Sequence, residues 1–197
     1  MINHKKKFIF IHIPKTAGHS IDTMFLDLGL VDEELWHFTS LEIIKKFDRK
    51  MWDEYFSFSI VRNPWDRFLS EYIWQGGNFK TAIKTNWGNK NISFEDFCKS
   101  DFSWYPEYER SCLCNTQYSY LVDEKRNICV KKIIKFENLQ EEFLDVFNKI
   151  DVPKIKIPHR NKTEHKPYWE YYNDETKEIV AKRFKEDIEF FGYKFGE

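Results

Sequence analysis

The chain has 197 residues, of which 42% are hydrophobic and 32% charged, and its formal net charge at pH 7 is −1. This length and composition predict one soluble globular domain, residues 1–197, and exclude a disordered protein. The lack of a basic surplus excludes a general nucleic-acid binder, and the lack of any apolar run near ~18 residues excludes a membrane span. Four cysteines without the spacing of a metal site predict reduced thiols and a cytoplasmic location.

A strand is predicted at residues 7–13, which are rich in Phe and Ile like the central strands of parallel sheets. A helix is predicted over 19–28, where apolar side chains recur every three or four residues. Gly29 marks its expected end, because glycine readily adopts the left-handed conformation that closes many helices. The apolar stretch near the N-terminus is short and lacks a cleavage site, so no signal peptide is predicted.

The segment between this strand and this helix reads IPKTAGHS and combines a lysine, two hydroxyl groups and a glycine. The N-terminus of a helix binds anions because its first N–H groups are unpaired and its dipole is positive there. Lys15 adds a full charge, and Thr16 and Ser20 add hydroxyl donors. Gly18 allows the backbone to approach a ligand closely. The segment predicts a P-loop-like phosphate site. Its lysine precedes the glycine, whereas in nucleoside triphosphatases the lysine follows it. The alternative is a plain strand-to-helix turn with a surface lysine.

Two further strands are predicted before the middle of the chain. Residues 35–38, LWHF, are expected to form a short strand, and residues 55–61, YFSFSIV, a strong one. Between them, Thr39 and Glu42 have the spacing of a capping box, which predicts a helix that ends near Phe47.

The strand at 55–61 ends at RNPWDR, where another helix is predicted to begin. Helix capping explains three residues of this segment, namely Asn63, Pro64 and Asp66. Capping does not explain Arg62, whose planar fork can donate two hydrogen bonds to a phosphate. Ligands of parallel sheets bind beyond the carboxyl ends of the strands, and both Arg62 and residues 14–20 are expected there.

The rest of the chain continues the alternation of strands, loops and helices. The expected elements are a polar loop at 76–91, a short helix capped by Ser93, a strand at 128–136, an amphipathic helix after it, a charged loop at 158–169 and a helix at about 174–190. This order predicts an α/β fold with a central parallel sheet flanked by helices.

Together, IPKTAGHS and IVRNPWDRFLSEY resemble motifs of the PAPS-dependent sulfotransferases, in particular the carbohydrate sulfotransferase group (sulfotransferase family 2-like) with IPKTAGTS and VRNPWDRxxSxY. Further matches are TQYSYL, IIKFENLQEEF and most of the segment that begins HRNKTEHKPYW, so the resemblance covers nearly the whole chain. It implies 3′-phosphoadenosine 5′-phosphosulfate (PAPS) as the sulfuryl donor and a hydroxyl acceptor, foremost that of a carbohydrate. No metal is predicted, because His159 and His165 have no third ligand at metal spacing and no aspartate pattern accompanies the loop.

The resemblance also implies which residues bind the donor. Its 5′-phosphosulfate would be held by residues 14–20, which are Pro14, Lys15, Thr16, Ala17, Gly18, His19 and Ser20. Its 3′-phosphate would be held by Arg62 and Ser70. A late loop would add Arg160, Asn161 and Lys162, unless that loop is merely solvated. His19 stands where the family usually has Thr, so the contacts to the 5′-phosphate are expected to differ here.

Two catalytic roles follow from the same resemblance. Lys15 would neutralise charge that develops on the leaving oxygen, and His37 would accept the proton of the acceptor hydroxyl. His37 could instead be a packed histidine between Trp36 and Phe38. Glu33 or Glu34 would then be the base.

Gln117 and Tyr120 are candidates for contacts with the acceptor or with adenine. The alternative for them is a buried hydrogen bond and a core tyrosine.

Two other classes of function stay open at this point. A P-loop-like nucleotide kinase would need ATP, Mg²⁺ and a Gly-Lys-Ser/Thr sequence that the chain lacks. A non-catalytic protein that binds nucleotides or glycans would keep Arg62 and Ser70 but would not need His37. Aromatic residues could stack on sugar rings in an enzyme or in a binder, namely Trp74, Trp87, Trp104 and Tyr105.

Overall fold

The computed structural model describes residues 1–74, 92–102, 114–158 and 166–197. The predicted loop at 76–91 lies outside these ranges, as do Trp87, Trp104, Tyr105, Arg160, Asn161 and Lys162. The chain divides into two compact units, Met1–Arg62 with Gln117–Lys162 and Asn63–Thr116 with Thr163–Glu197. We call the first the sheet unit and the second the helical unit. The interpretation of residues 1–197 as one domain stays a prediction.

The sheet unit contains the sheet that positions the candidate site. Within the described ranges its strands are β1 (Ile2–Asn3), β2 (Phe8–Ile11), β3 (Phe56–Val61) and β4 (Lys132–Lys135), in that spatial order. Strands β2, β3 and β4 run parallel, and β1 pairs antiparallel with β2. The α/β class and the central parallel sheet are thereby confirmed. All residues of β2 are buried, as expected of a parallel strand covered on both faces.

The described helices are, in chain order, α1 (Gly18–Asp27), α2 (Ser40–Lys46), α3 (Arg49–Glu54), α4 (Pro64–Trp74), α5 (Phe94–Lys99), α6 (Gln117–Tyr120), α7 (Leu139–Lys149), α8 (Asp174–Arg183) and α9 (Lys185–Phe191). Within the described part of the chain, no helix has both the length and the apolar character needed to cross a membrane.

The core of the sheet unit is rich in phenylalanine. Phe8 and Phe10 from β2, Phe58 from β3, Phe25 from α1 and Phe143 from α7 are all 0% exposed and belong to one cluster. Burial of each such ring contributes roughly 1.5–3 kcal/mol relative to exposure. This packing holds α1, and therefore the loop that precedes it, against the parallel strands.

Helix α1 ends as its sequence predicts. Gly29 has a φ of +64° and follows the C-cap residue. Its N–H donates to the Leu26 carbonyl (2.9 Å), and the Leu30 N–H donates to the Phe25 carbonyl (2.9 Å). These two bonds form a Schellman motif, which satisfies carbonyls that the last turn would otherwise leave unpaired.

The predicted start of α2 is also confirmed. Thr39 accepts a hydrogen bond from the Glu42 N–H at 3.2 Å, and the Glu42 carboxylate accepts one from the Thr39 N–H at 2.8 Å. Ser93 caps α5 as predicted. Helix α3, capped by Asp48, was not predicted from the sequence.

The prediction of a strand at residues 35–38 is wrong. Trp36 and His37 form a turn, and His37 has a φ of +58°. This segment forms one bridge with the short edge strand β1, between Glu33 and Ile2, and the pairing does not extend to residues 35–38. The chain turns here before α2 begins.

The single helix predicted at about 174–190 is two helices, α8 and α9. They meet at Phe184, whose φ of −113° and ψ of 30° depart from helical values. Phe184 is 1% exposed in the core of the helical unit, where it packs near Phe68 with ring centroids 6.0 Å apart. Apolar residues keep a helical spacing across Phe184, so the sequence pattern indicated one continuous helix.

Cys98 of α5 provides a test of the helical unit's core. Its side chain is fully buried, and burial raises the pKa of its thiol to about 12 from an ordinary value near 9. We expect iodoacetamide at about pH 8.5 to leave Cys98 unmodified in the native protein, because the reactive thiolate is scarce. Because the folded pKa is raised, the free energy of unfolding should fall as pH rises above about 9.

Peptide mass spectrometry with a sample alkylated in denaturant as control would check this result. Modification of the native protein at the rate of the denatured sample would contradict the burial of Cys98.

Among the described residues, Cys98, Cys114 and Cys129 are reduced thiols. The cytoplasmic location stays a prediction.

Candidate active site

The loop between β2 and α1 has an unusual backbone. Lys15 and Ala17 have φ values of +66° and +69°, while Thr16 between them does not lie in the left-handed region. Nests, the backbone concavities that bind anions, are built from residues that alternate between the right- and left-handed regions. A non-glycine residue in the left-handed region costs roughly 1–2 kcal/mol. Strain of this kind clusters at ligand sites.

Hydrogen bonds within the sheet unit hold this conformation. The buried Thr16 hydroxyl donates to the Ile13 carbonyl at 2.9 Å, so its hydrogen is used inside the loop. The Ser20 N–H donates to the Ala17 carbonyl at 2.9 Å, and Ser20 is 4% exposed. Lys15 is partly exposed and His19 is exposed. The predicted phosphosulfate contacts of residues 14–20 stay predictions.

Arg62 lies beside this loop, as the sequence predicts for the ends of neighbouring parallel strands. Its Nη1 donates to the Lys15 carbonyl at 3.2 Å, and its guanidinium lies 4.4 Å from the centroid of the Phe136 ring. The structure therefore brings the two predicted phosphate-binding motifs together at Lys15 and Arg62.

Gln117 fixes the backbone of Arg62. Its side-chain oxygen accepts from the Arg62 N–H, and its side-chain nitrogen donates to the Arg62 carbonyl, both at 2.8 Å. Gln117 is 0% exposed and Tyr120 is 1% exposed. Gln117 therefore makes a buried hydrogen bond and Tyr120 is a core tyrosine, as in the alternative given for these residues. Their contact with the acceptor or with adenine stays a prediction.

His37 sits in the turn before α2 and is partly buried, so it is not a fully packed core residue. Its ring meets that of His12 edge to face, with centroids 5.0 Å apart. Trp36 is 44% exposed, and its Nε1 donates to the Glu34 carboxylate at 3.1 Å. Glu33 makes its backbone bridge with Ile2. The roles of His37 as base and of both glutamates as substitutes stay predictions.

The sequence reasoning missed a buried pair, His12 and Asp22. They are 5% and 6% exposed, and Nδ1 of His12 lies 2.7 Å from Oδ2 of Asp22. The available signal was a histidine in the otherwise apolar stretch before Pro14, with an aspartate between apolar positions of the next helix.

Gly18 is required by packing against His12. A Cβ atom at Gly18 would lie 2.0 Å from Cδ2 of the His12 ring, a distance that real contacts do not reach. The sequence explained Gly18 by close approach of the backbone to a ligand. The structure shows that the His12 ring also leaves no space for a side chain at this position.

The other residues predicted to bind the sulfuryl donor are Ser70 and three residues of the late loop. Ser70 is partly exposed in α4, which belongs to the helical unit. Arg160, Asn161 and Lys162 lie outside the described residues. Over the described ranges, no three His, Cys, Asp or Glu side chains are grouped as metal ligands.

The parallel sheet, the strained loop after β2 and the helix behind it define an α/β protein with a P-loop-like strand-loop-helix. The chain matches the sequence model of the Sulfotransferase family over residues 1–194, and it belongs to that family. It is also similar to an uncharacterized protein of Archaeoglobus fulgidus, with 30% identity over 118 residues that cover 57% of this chain and 81% of that protein. No solved structure matches it.

Proposed function

We propose that this protein transfers a sulfuryl group from PAPS to a hydroxyl group of a carbohydrate. Membership of the Sulfotransferase family supports a transferase of this kind. The single observation that carries the proposal is the hydrogen bond of Arg62 Nη1 to the Lys15 carbonyl (3.2 Å), which joins a strained, cationic, nest-like loop to the second motif.

The donor carries anionic groups at the 5′ and 3′ positions of its ribose, and the residues of the sheet unit suit them. Residues 14–20 would hold the 5′-phosphosulfate with backbone N–H groups of the nest and of the α1 N-terminus, and Lys15 would add charge. Arg62 would hold the 3′-phosphate with its planar fork. Ser70 and the late residues Arg160, Asn161 and Lys162 would add contacts to the same phosphate.

In the reaction, His37 accepts the proton of the acceptor hydroxyl as its oxygen bonds to sulfur. The bond between sulfur and the bridging phosphate oxygen breaks in the same displacement. Lys15 neutralises the charge that this oxygen gains, and adenosine 3′,5′-bisphosphate (PAP) leaves. The chain's part is mainly to position the reactants and stabilise charge, as in phosphoryl transfer.

The surroundings of His37 support a carbohydrate acceptor. Trp36, the residue before it, is 44% exposed, and its indole N–H is held by Glu34 at 3.1 Å. A fixed, exposed indole is amphipathic and suits the apolar face of a sugar ring. A PAPS turnover screen over a panel of glycans and small alcohols would test the acceptor class. Turnover with alcohols alone would contradict a carbohydrate acceptor.

PAP should stabilise the protein strongly. A ligand at 100 times its Kd adds about 2.7 kcal/mol, which for this chain length is a rise in Tm of roughly 5–11 °C. ATP, which lacks the 3′-phosphate, should shift Tm much less. Differential scanning fluorimetry with both nucleotides, with and without Mg²⁺, would measure the difference.

Equal shifts with ATP and PAP would contradict PAPS as donor and favour the nucleotide kinase. A PAP shift without turnover of PAPS on any acceptor would favour the non-catalytic binding protein.

A further inference from the structure

We infer that His12 and Asp22 form a positioning pair that holds the donor-binding loop, residues 14–20, and His37 in their working arrangement. The inference rests on the proposed function, because it concerns the two parts of the site that would bind the donor and deprotonate the acceptor. Neither residue is proposed to touch substrate.

The pair is buried in a way that stability alone does not explain. The His12 and Asp22 side chains are 7% and 9% exposed, with Nδ1 and Oδ2 2.7 Å apart. The two atoms are not aligned as in a hydrogen bond, and neither has a hydrogen-bond partner among the described residues. Apolar residues of similar volume often replace buried polar pairs without loss of stability.

On one side, the pair braces the first turn of α1. Gly18 and Asp22 are four residues apart and therefore lie on the same face of this helix. The His12 ring packs against Gly18, where an added Cβ would lie 2.1 Å from Nε2, and it meets Asp22 through Nδ1. One ring thus contacts both residues of the helix whose N-terminus completes the nest.

On the other side, the same ring braces the turn that carries His37. The His12 and His37 rings meet at an interplanar angle of 83° with centroids 5.0 Å apart, and the Trp36 centroid lies 5.3 Å from that of His12. His37 has a left-handed φ of +58°, a conformation that the surrounding packing has to maintain.

This arrangement makes His12 a positioning residue and not a second base. His12 is 5% exposed, and its Nε2 edge lies against Gly18. A general base has to come within hydrogen-bond reach of the proton it removes. The partly exposed His37 meets that requirement better.

The test compares His12→Asn, Asp22→Asn and the control Asn173→Ala. His12→Asn keeps a nitrogen near Asp22 but removes the ring between Gly18 and His37. Asp22→Asn keeps the side-chain volume, so it serves if His12→Asn does not fold. Asn173 caps α8 in the helical unit, so its loss lowers Tm without a change in the sheet unit.

Hydrogen exchange, the Kd of PAP and kcat are measured at a temperature at which every variant is folded. Without ligand, hydrogen exchange of the backbone amides of residues 15–20 should speed up by about 10-fold or more in His12→Asn. In the same variant the Kd of PAP should rise by about 10–100-fold, and kcat should fall by a similar factor. Losses of this size are typical when residues that orient the ligands of a site are removed. Asp22→Asn should give the same changes at smaller size, and Asn173→Ala should give none of them.

The inference is overturned if both pair variants lower Tm as the control does while exchange, Kd and kcat per folded molecule match wild type. Failure of the proposed function looks different, because wild type itself would then neither bind PAP nor turn over PAPS. The exchange measurement would still show in that case whether the pair braces the loop.

Discussion

His37→Ala should lower kcat by about 10²–10⁴-fold, the usual contribution of a general base, while the Kd of PAP stays nearly unchanged. His37 lies in the turn before α2 and contacts His12 and Trp36 through its ring. The loop at residues 14–20 has its own hydrogen bonds and its contact with Arg62, so truncation of His37 leaves the donor loop supported. Single-turnover kinetics with PAPS and a melting curve on the same sample would measure both effects.

His4→Ala is the matched control for this variant. His4 belongs to the same unit, and its Nδ1 hydrogen-bonds the Tyr55 hydroxyl at 2.9 Å. It has no assigned part in the reaction, so its loss should leave kcat unchanged. If His37→Ala lowers Tm but retains normal kcat per folded molecule, His37 is a packing residue. Glu33 and Glu34 would then be the next candidates for the base.

Lys15→Ala should lower kcat by about 10²–10³-fold, on the scale of one lost oxyanion donor. The variant removes the charge that neutralises the leaving oxygen. The left-handed φ of +66° at position 15 is equally unfavourable for Lys and for Ala, and the loop carbonyl still accepts from Arg62. The effect should therefore come from chemistry, which steady-state kinetics over a range of PAPS concentrations would separate from binding.

Lys7→Ala is a closely matched control. Lys7 also has a left-handed φ, of +50°, and its ammonium forms an exposed ion pair with Glu54 at 3.7 Å. Its removal deletes the same charge from the same backbone conformation away from the loop. An intact kcat in Lys15→Ala would contradict the role assigned to the loop.

Arg62→Ala should behave differently from Lys15→Ala. It should mainly raise the KM for PAPS, because Arg62 is proposed to bind the 3′-phosphate in the ground state.

The sequence by itself determined the features that depend on neighbours along the chain. The strand before Pro14, the helix after it and the closing turn at Gly29 follow from apolar spacing and glycine chemistry over a few residues. The capping box of Thr39 and Glu42 is read from a spacing of three. Because Lys15 and Arg62 each follow a parallel strand, even their proximity could be predicted, since such strand ends share one edge of the sheet.

Tertiary structure decided the features that join distant segments. Nothing near Gln117 in the sequence shows that its amide pairs with the backbone of Arg62, because that bond forms only once α6 lies beside the end of β3. The sheet pairing of this segment stops at the bridge between Ile2 and Glu33, and the turn at His37 follows it. The contact of His12 with both Asp22 and His37 likewise requires a strand, a helix and a turn to be packed together, which local propensity does not encode.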